Sequence, residues 1–153
     1  MKIERDFEDL LRLFSKNKVR YCIIGAFAVA FYGRPQYTKD IDILIDPLEA
    51  NAKKIVKALN DFGFGSLKLS ADDFCKKGNI IQLGYEPVRV DILTSIKGLS
   101  FDRVWKNRIK GTYGKQRVNF ISLDDLIKCK KISARNKDLA DLEILQLAKR
   151  KRK

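Results

Sequence analysis

The chain has 153 residues, 45% of them apolar and 33% charged, with a formal net charge of +13 and no histidine. That length and balance suit one globular domain with one core and exclude a disordered chain. The lack of histidine excludes Ser-His-Asp triads, histidine general bases and two-histidine zinc motifs. Acid–base or metal chemistry must fall to Asp, Glu, Lys, Tyr or Cys.

The opening, "MKIERDFEDLL", is charged from its second residue and has no apolar leader core. No run approaches the ~20 apolar residues of a membrane span. A cytoplasmic protein without a membrane partner is expected. Residues 4 to 16 put Phe7, Leu10, Leu11 and Phe14 on one helical stripe. "VRYCIIG" reads as a short strand ending at Gly25, and "AFAVAFYG" as a short apolar helix stopped by Gly33 and Pro35. "DIDILID" alternates at period two and predicts a strand closed by Pro47. Residues 48 to 62 predict an amphipathic helix. Residues 66 to 78 read as a strand followed by a short helix.

"NIIQLGY" and "VRVDILTS" predict two strands joined through Glu86 and Pro87. "FDRVWKNR" reads as a helical turn, and "IKGTYGKQRVNFIS" as a hairpin around Gly114. Ser122 caps a helix with Asp124 and Asp125 in its first turn. A last helix starts near Lys137 or Asp138. The expected fold class is mixed α+β, since hairpins rule out an all-parallel sheet. The expected domain is 1–148, with 149–153, "KRKRK", a disordered basic tail.

The basic balance has two readings: a polyanionic partner, such as nucleic acid or nucleotide phosphates, or a Lys-rich solubility surface. Cys22, Cys75 and Cys129 are scattered, with no C-x-x-C pair, so neither a zinc knuckle nor a disulfide framework is supported. Cys22 and Cys129 read as small core residues.

On the "DIDILID" strand, Asp40 and Asp42 share one face, while Ile41, Ile43 and Ile45 share the other. Two adjacent carboxylates repel and favour a divalent cation between them. Oxygen-only ligands suit Mg²⁺ or Mn²⁺ rather than zinc. Asp91 lies on the face of its strand opposite Val88, Val90 and Ile92. If the two strands are neighbours, Asp91 reaches the pair, and three carboxylates suffice to hold metal for attack on a phosphate. The alternative is a set of edge-strand aspartates that solubilise a sheet, and Asp46 is left to that role. Gly25, between strand and helix, would let a phosphate approach the backbone at a helix N-terminus.

The block "GAFAVAFYGRPQYTKDIDILI" resembles the signature of the polymerase-beta-like nucleotidyltransferases, and within them the small bacterial AbiEii-type, minimal branch. "SLDDLIKCKKISARNKDLADLEIL" is similar to that branch as well. The resemblance implies a mixed, roughly five-stranded sheet flanked by helices. It implies that Asp40 and Asp42 ligate Mg²⁺ carrying a nucleoside triphosphate, and that Asp91 completes the site and helps deprotonate a hydroxyl. The backbone at Gly25 and Ala26 would meet the triphosphate. Lys130 would neutralise phosphate or be a solvated helix lysine. Thr38 would brace the strand entry, and Arg34 would approach phosphate or stay exposed. Ala26 and Gln36 stand where such proteins often carry a serine or glycine and an arginine, so two phosphate contacts are missing.

The expected activity is nucleotidyl transfer from an NTP to a hydroxyl of RNA or tRNA, a protein or a small molecule. A toxin–antitoxin or abortive-infection setting with a partner protein is part of that expectation. The competing expectation is a non-catalytic member that binds protein or nucleic acid. A metal-dependent nuclease would want Lys or Glu close behind the aspartates. Lys39 instead precedes Asp40 and would face away.

Overall fold

The computed structural model of the chain describes residues 4–33, 40–85 and 88–152. Helix α1 spans Arg5–Lys16 and buries Phe7, Leu10, Leu11 and Phe14 completely, as the stripe predicts. Each such burial stabilises the fold by about 1.5–3 kcal/mol. Strand β1 is Tyr21–Ile24, all four residues buried, and runs straight into α2, Gly25–Tyr32. Strand β2 is Asp40–Ile45, and α3 is Glu49–Leu59. Strands β3, Ile80–Tyr85, and β4, Val88–Leu93, follow. Then come α4, Phe101–Asn107, and the hairpin β5, Ile109–Tyr113, with β6, Gln116–Phe120. Helix α5 is Leu123–Ser133, capped by the Ser122 side chain, which accepts from the Asp125 N–H at 3.2 Å. Helix α6 is Asn136–Lys151.

The six strands form one mixed sheet in the order β3-β4-β2-β1-β6-β5. The mixed α+β class therefore holds, with six strands rather than the roughly five that the resemblance implied. β2 pairs antiparallel with β1 and parallel with β4, so it is central and needs apolar residues wherever its side chains face helices. Ile41, Ile43, Leu44 and Ile45 are fully buried. The parallel step from β2 to β4 needs a long crossover, which α3 and the turns after it supply.

Two expectations are corrected. Residues 66–78 hold no strand: short 3₁₀ turns cover Gly65–Leu67 and Ala71–Phe74. There Ser70 and Asp73 cap each other, with the Ser70 N–H donating to Asp73 Oδ2 at 2.8 Å, and the chain coils instead of extending. The basic tail is also helical through Lys151, because Lys and Arg favour helices and suit their C-terminal end. Lys149 pairs with Asp124 at 2.8 Å. Among the described residues, no helix is long and apolar enough to cross a membrane.

Candidate functional site

The register of β2 and β4 pairs Asp40 with Arg89 and sets Asp42 directly opposite Asp91. The two strands thus bring the three expected carboxylates to one end of the sheet. On β4, Val90 and its β3 partner Leu83 face the opposite side, towards α1. Asp91 is buried, and Asp40 and Asp42 are partly so. Arg89 of β4 lies between two of the carboxylates. Its Nη2 is 3.0 Å from Asp40 Oδ2 and donates to Asp91 Oδ2 at 3.2 Å. Asp91 Oδ1 is buried and accepts no hydrogen bond among the described residues.

Burial pushes the Asp42 carboxyl up to about 6, and the nearby Asp91 and Asp40 charges push in the same direction. Lys137 and Lys130 pull the other way. A carboxyl raised by burial and by its own kind gains from an added positive charge.

Gly25 explains how Asp42 fits. Its φ is +69°, a region L side chains rarely adopt, and a Cβ there would run into Asp42 Oδ2. The glycine therefore admits the carboxylate as well as any ligand. The N-terminus of α2, at Gly25 and Ala26, opens onto the same space.

That space is a cavity of about 500 Å³ between the carboxylates and α5–α6. Its lining is apolar at Ile80, Leu93, Ile96 and Ile132, with Ile80 60% exposed. Lys97, Lys130, Arg135 and Lys137 line it as well. Lys130 is neither a solvated lysine nor a loose cation. Its Nζ lies 3.2 Å from both Asp138 Oδ1 and Asp141 Oδ2, and it joins α5 to α6. Burial works against the charge on Asp138, yet hydrogen bonds from Arg135, Ser133 and Lys130 hold its carboxyl well below the usual range. Sequence reasoning missed Arg89, Lys97, Arg135 and Lys137. The spacing of Arg135, Asp138 and Asp141 at successive helical turns carried a signal for this clamp.

Arg34 and Thr38 lie outside the described residues, as do Gln36 and Lys39. Asp46 is at the other end of β2. It pairs with Arg20 at 3.4 Å, and its Oδ1 accepts from the Leu48 N–H at 3.3 Å. Its role is to fix the entry to α3, not to solubilise an edge. Cys22 is fully buried, while Cys129 is partly buried and borders the cavity.

The donor set suits a hard divalent cation: oxygen ligands only, Asp91 Oδ1 buried with no hydrogen bond among the described residues, and a carboxyl raised by burial and by its neighbours. Among the described residues, however, no three acidic or cysteine side chains already close around one point. The guanidinium of Arg89 holds Asp40 and Asp91 instead.

Over residues 2–151 the sequence matches the family described as nucleotidyltransferase of unknown function (DUF6036). The fold is similar to a crystal structure of the lincosamide antibiotic adenylyltransferase LnuA with lincomycin bound. That match has 20% identity and a TM-score of 0.59, and covers 94% of this chain and 96% of LnuA. No curated protein sequence matches the chain.

Proposed function

Given that the chain belongs to the DUF6036 nucleotidyltransferase family, we propose that it moves a nucleoside monophosphate from an NTP to a hydroxyl acceptor. The observation that carries this reading is the register that sets Asp42 opposite Asp91 beside the Gly25 turn. Asp40, Asp42 and Asp91 would hold Mg²⁺ or Mn²⁺. When bound, the metal supplies charge neutralisation for the triphosphate. Backbone N–H groups at Gly25 and Ala26 face the phosphates. Lys97, Arg135 and Lys137 offer them positive charge, whereas Lys130 serves through the α5–α6 clamp. Asp91 helps deprotonate the attacking hydroxyl and takes up its proton on the carboxylate. The hydroxyl oxygen bonds to the α-phosphorus, the bond to the β-phosphate bridge breaks, and pyrophosphate leaves.

The acceptor is a hydroxyl of RNA or tRNA, of a protein or of a small molecule. The apolar lining at Ile80, Leu93, Ile96 and Ile132 favours a compact organic acceptor, in keeping with the antibiotic named for LnuA. A toxin–antitoxin role with a partner protein, as in the AbiEii-type branch, belongs to the same reading. So does work in the cytoplasm.

A second reading, a non-catalytic binding protein, draws on Arg89. That side chain gives Asp40 and Asp91 an internal cation where a metal would be needed. One experiment separates the two. The protein is incubated with α-labelled NTPs, Mg²⁺ or Mn²⁺, and RNA, protein or hydroxylated antibiotics, beside Asp42→Asn. Transfer lost in the variant supports the enzyme. Neither transfer nor metal-dependent nucleotide binding in the wild type would leave the binding protein.

A further inference from the structure

At the end of the sheet opposite the carboxylates lies a second concave surface, of about 360 Å³. Lys18, Arg20, Lys110 and Arg117 line it with Trp105, and no acidic residue does so among the described residues. Its place follows from the strands. Asp42 pairs with Ile24, the last residue of β1, whereas Arg20 immediately precedes that strand. A four-residue strand, about 13 Å long, therefore separates groove from carboxylates. β6 runs parallel to β1 with Ile23 beside Phe120, so three residues back Arg20 falls beside Arg117. On β5, Lys110 pairs with Asn119, two residues from Arg117 and on the same face. Arg20 and Arg117 thus sit side by side on neighbouring strands about 5 Å apart, and Lys110 adds a third cation on the next strand, two residues further along the same face.

Arg20 pairs with Asp46 at 3.4 Å, but the other three charges are not absorbed by the fold. Lys18, Lys110 and Arg117 are exposed and make no ion pair among the described residues. The C-terminal end of α1 accounts for Lys18 through its dipole, but no helix end accounts for Lys110 or Arg117. Trp105 fixes Arg20 and one further guanidinium. The Arg108 carbon lies 3.6 Å, and the Arg20 carbon 4.9 Å, from the centre of its ring. Arg108 Nη1 donates to the Trp105 carbonyl and Arg20 Nη1 pairs with Asp46, so each offers only its remaining N–H groups, with much of its rotamer freedom already spent.

We propose that this groove binds the sugar–phosphate backbone of a single-stranded nucleic acid. Several cations spread over adjacent strands, with no acidic side chain in the lining among the described residues, match a polymer that carries one charge per unit. The small volume, about 360 Å³, suits a single strand. The inference stands apart from the transfer reaction, since none of these residues touches the carboxylate end.

The test is fluorescence anisotropy of the full chain with labelled 12-nucleotide oligo(U) and oligo(dT), across a salt series. Three phosphates neutralised by Lys18, Lys110 and Arg117 give a slope of log K against log salt of about −2, at ~0.7 per phosphate. The double variant Lys110→Gln/Arg117→Gln should bring the slope to about −0.7 and weaken binding several-fold. Its melting temperature should not change, because both side chains are exposed. Lys54→Gln/Lys57→Gln, with the same charge lost from α3, should leave the slope unchanged. Equal binding of RNA and DNA identifies phosphate contacts alone, and stronger RNA binding adds 2′-hydroxyl contacts; either supports the groove. Equal effects of the two double variants, displacement by poly-glutamate as readily as by unlabelled oligo(U), or tighter binding of a duplex would each overturn it.

Discussion

Replacing Asp42 with Asn should make the metal-free protein more stable while removing its transfer activity. Asp42 titrates near 6 rather than 3.8, because burial and the neighbouring Asp91 and Asp40 disfavour its charge. A raised carboxyl binds its proton more tightly in the folded chain than in the unfolded one. Stability is then lost as pH rises from about 4 to about 6, and the full penalty remains above that window. A shift of about two pH units corresponds to about 3 kcal/mol at 1.36 kcal/mol per unit, and partial exposure of the side chain trims this to about 2. Asn keeps the shape and removes the charge. At pH 8, with a chelator present, the variant should melt about 4–8 °C above the wild type for a chain of this size. Near pH 4 the two should melt together. Adding Mg²⁺ at pH 8 should raise the wild type and leave the variant where it was. The measurement is thermal unfolding of both proteins across pH 4–8, with and without Mg²⁺. A variant no more stable than wild type at pH 8, or a difference that does not change with pH, would refute the account of crowded carboxylates.

Three further substitutions test the surrounding geometry. Gly25→Ala forces a side chain into a left-handed conformation and against Asp42. It should destabilise by about 2 kcal/mol, read by urea unfolding, and abolish transfer even where the chain still folds. Arg89→Gln takes the internal cation from Asp40 and Asp91. It should lower metal-free stability by about 1–3 kcal/mol and shift the midpoint of Mg²⁺ stabilisation to lower concentration, since metal no longer competes with a guanidinium; an unchanged midpoint would count against the competition. Lys130→Met leaves Asp141 without the Nζ it faces and Asp138 with Arg135 and Ser133. It should cost about 3 kcal/mol, seen as a clear fall in melting temperature, whereas a lysine that only touched phosphate would lower activity with no thermal change.

What the sequence revealed of the site depended on how locally each feature is encoded. The shared face of Asp40 and Asp42 follows from the two-residue period of a strand, so alternation alone exposes it. The Ser122 cap is likewise local, set by a hydroxyl and an N–H three residues apart. The pairing of Asp42 with Asp91 is not local. Forty-nine residues separate them, and α3 with its following turns decides the register. Only the family resemblance suggested that the two strands meet. Lys130 shows the same limit. Its partners are 8 and 11 residues onward in another helix, and nothing in "KCKK" distinguishes it from its solvated neighbours. Residues 66–78 were misread for another reason. Leu67 and Leu69 imitate strand alternation, yet Ser70 and Asp73 carry the S-x-x-D spacing of a cap, and that local bond prevailed.

The position of Arg89 ties these observations into one physical problem. A central strand that carries carboxylates must either neutralise them or bear their repulsion, and β2 and β4 divide that task unequally. Arg89 serves Asp40 and Asp91, which it meets at 3.0 and 3.2 Å, while Asp42 faces the cavity with a raised carboxyl and only more distant lysines. The arrangement lets the chain fold without a ligand yet leaves Asp42, beside Gly25, as the group with the most to gain from an incoming cation. Stability and chemistry compete at that one side chain. A divalent cation at Asp42 would draw on Asp91 Oδ1, which has no hydrogen bond to lose, before it needed any oxygen held by Arg89. On the proposed reading, a cation would therefore meet the Asp42–Asp91 pair first, and the Asp40 oxygen held by Arg89 would be the last to join it.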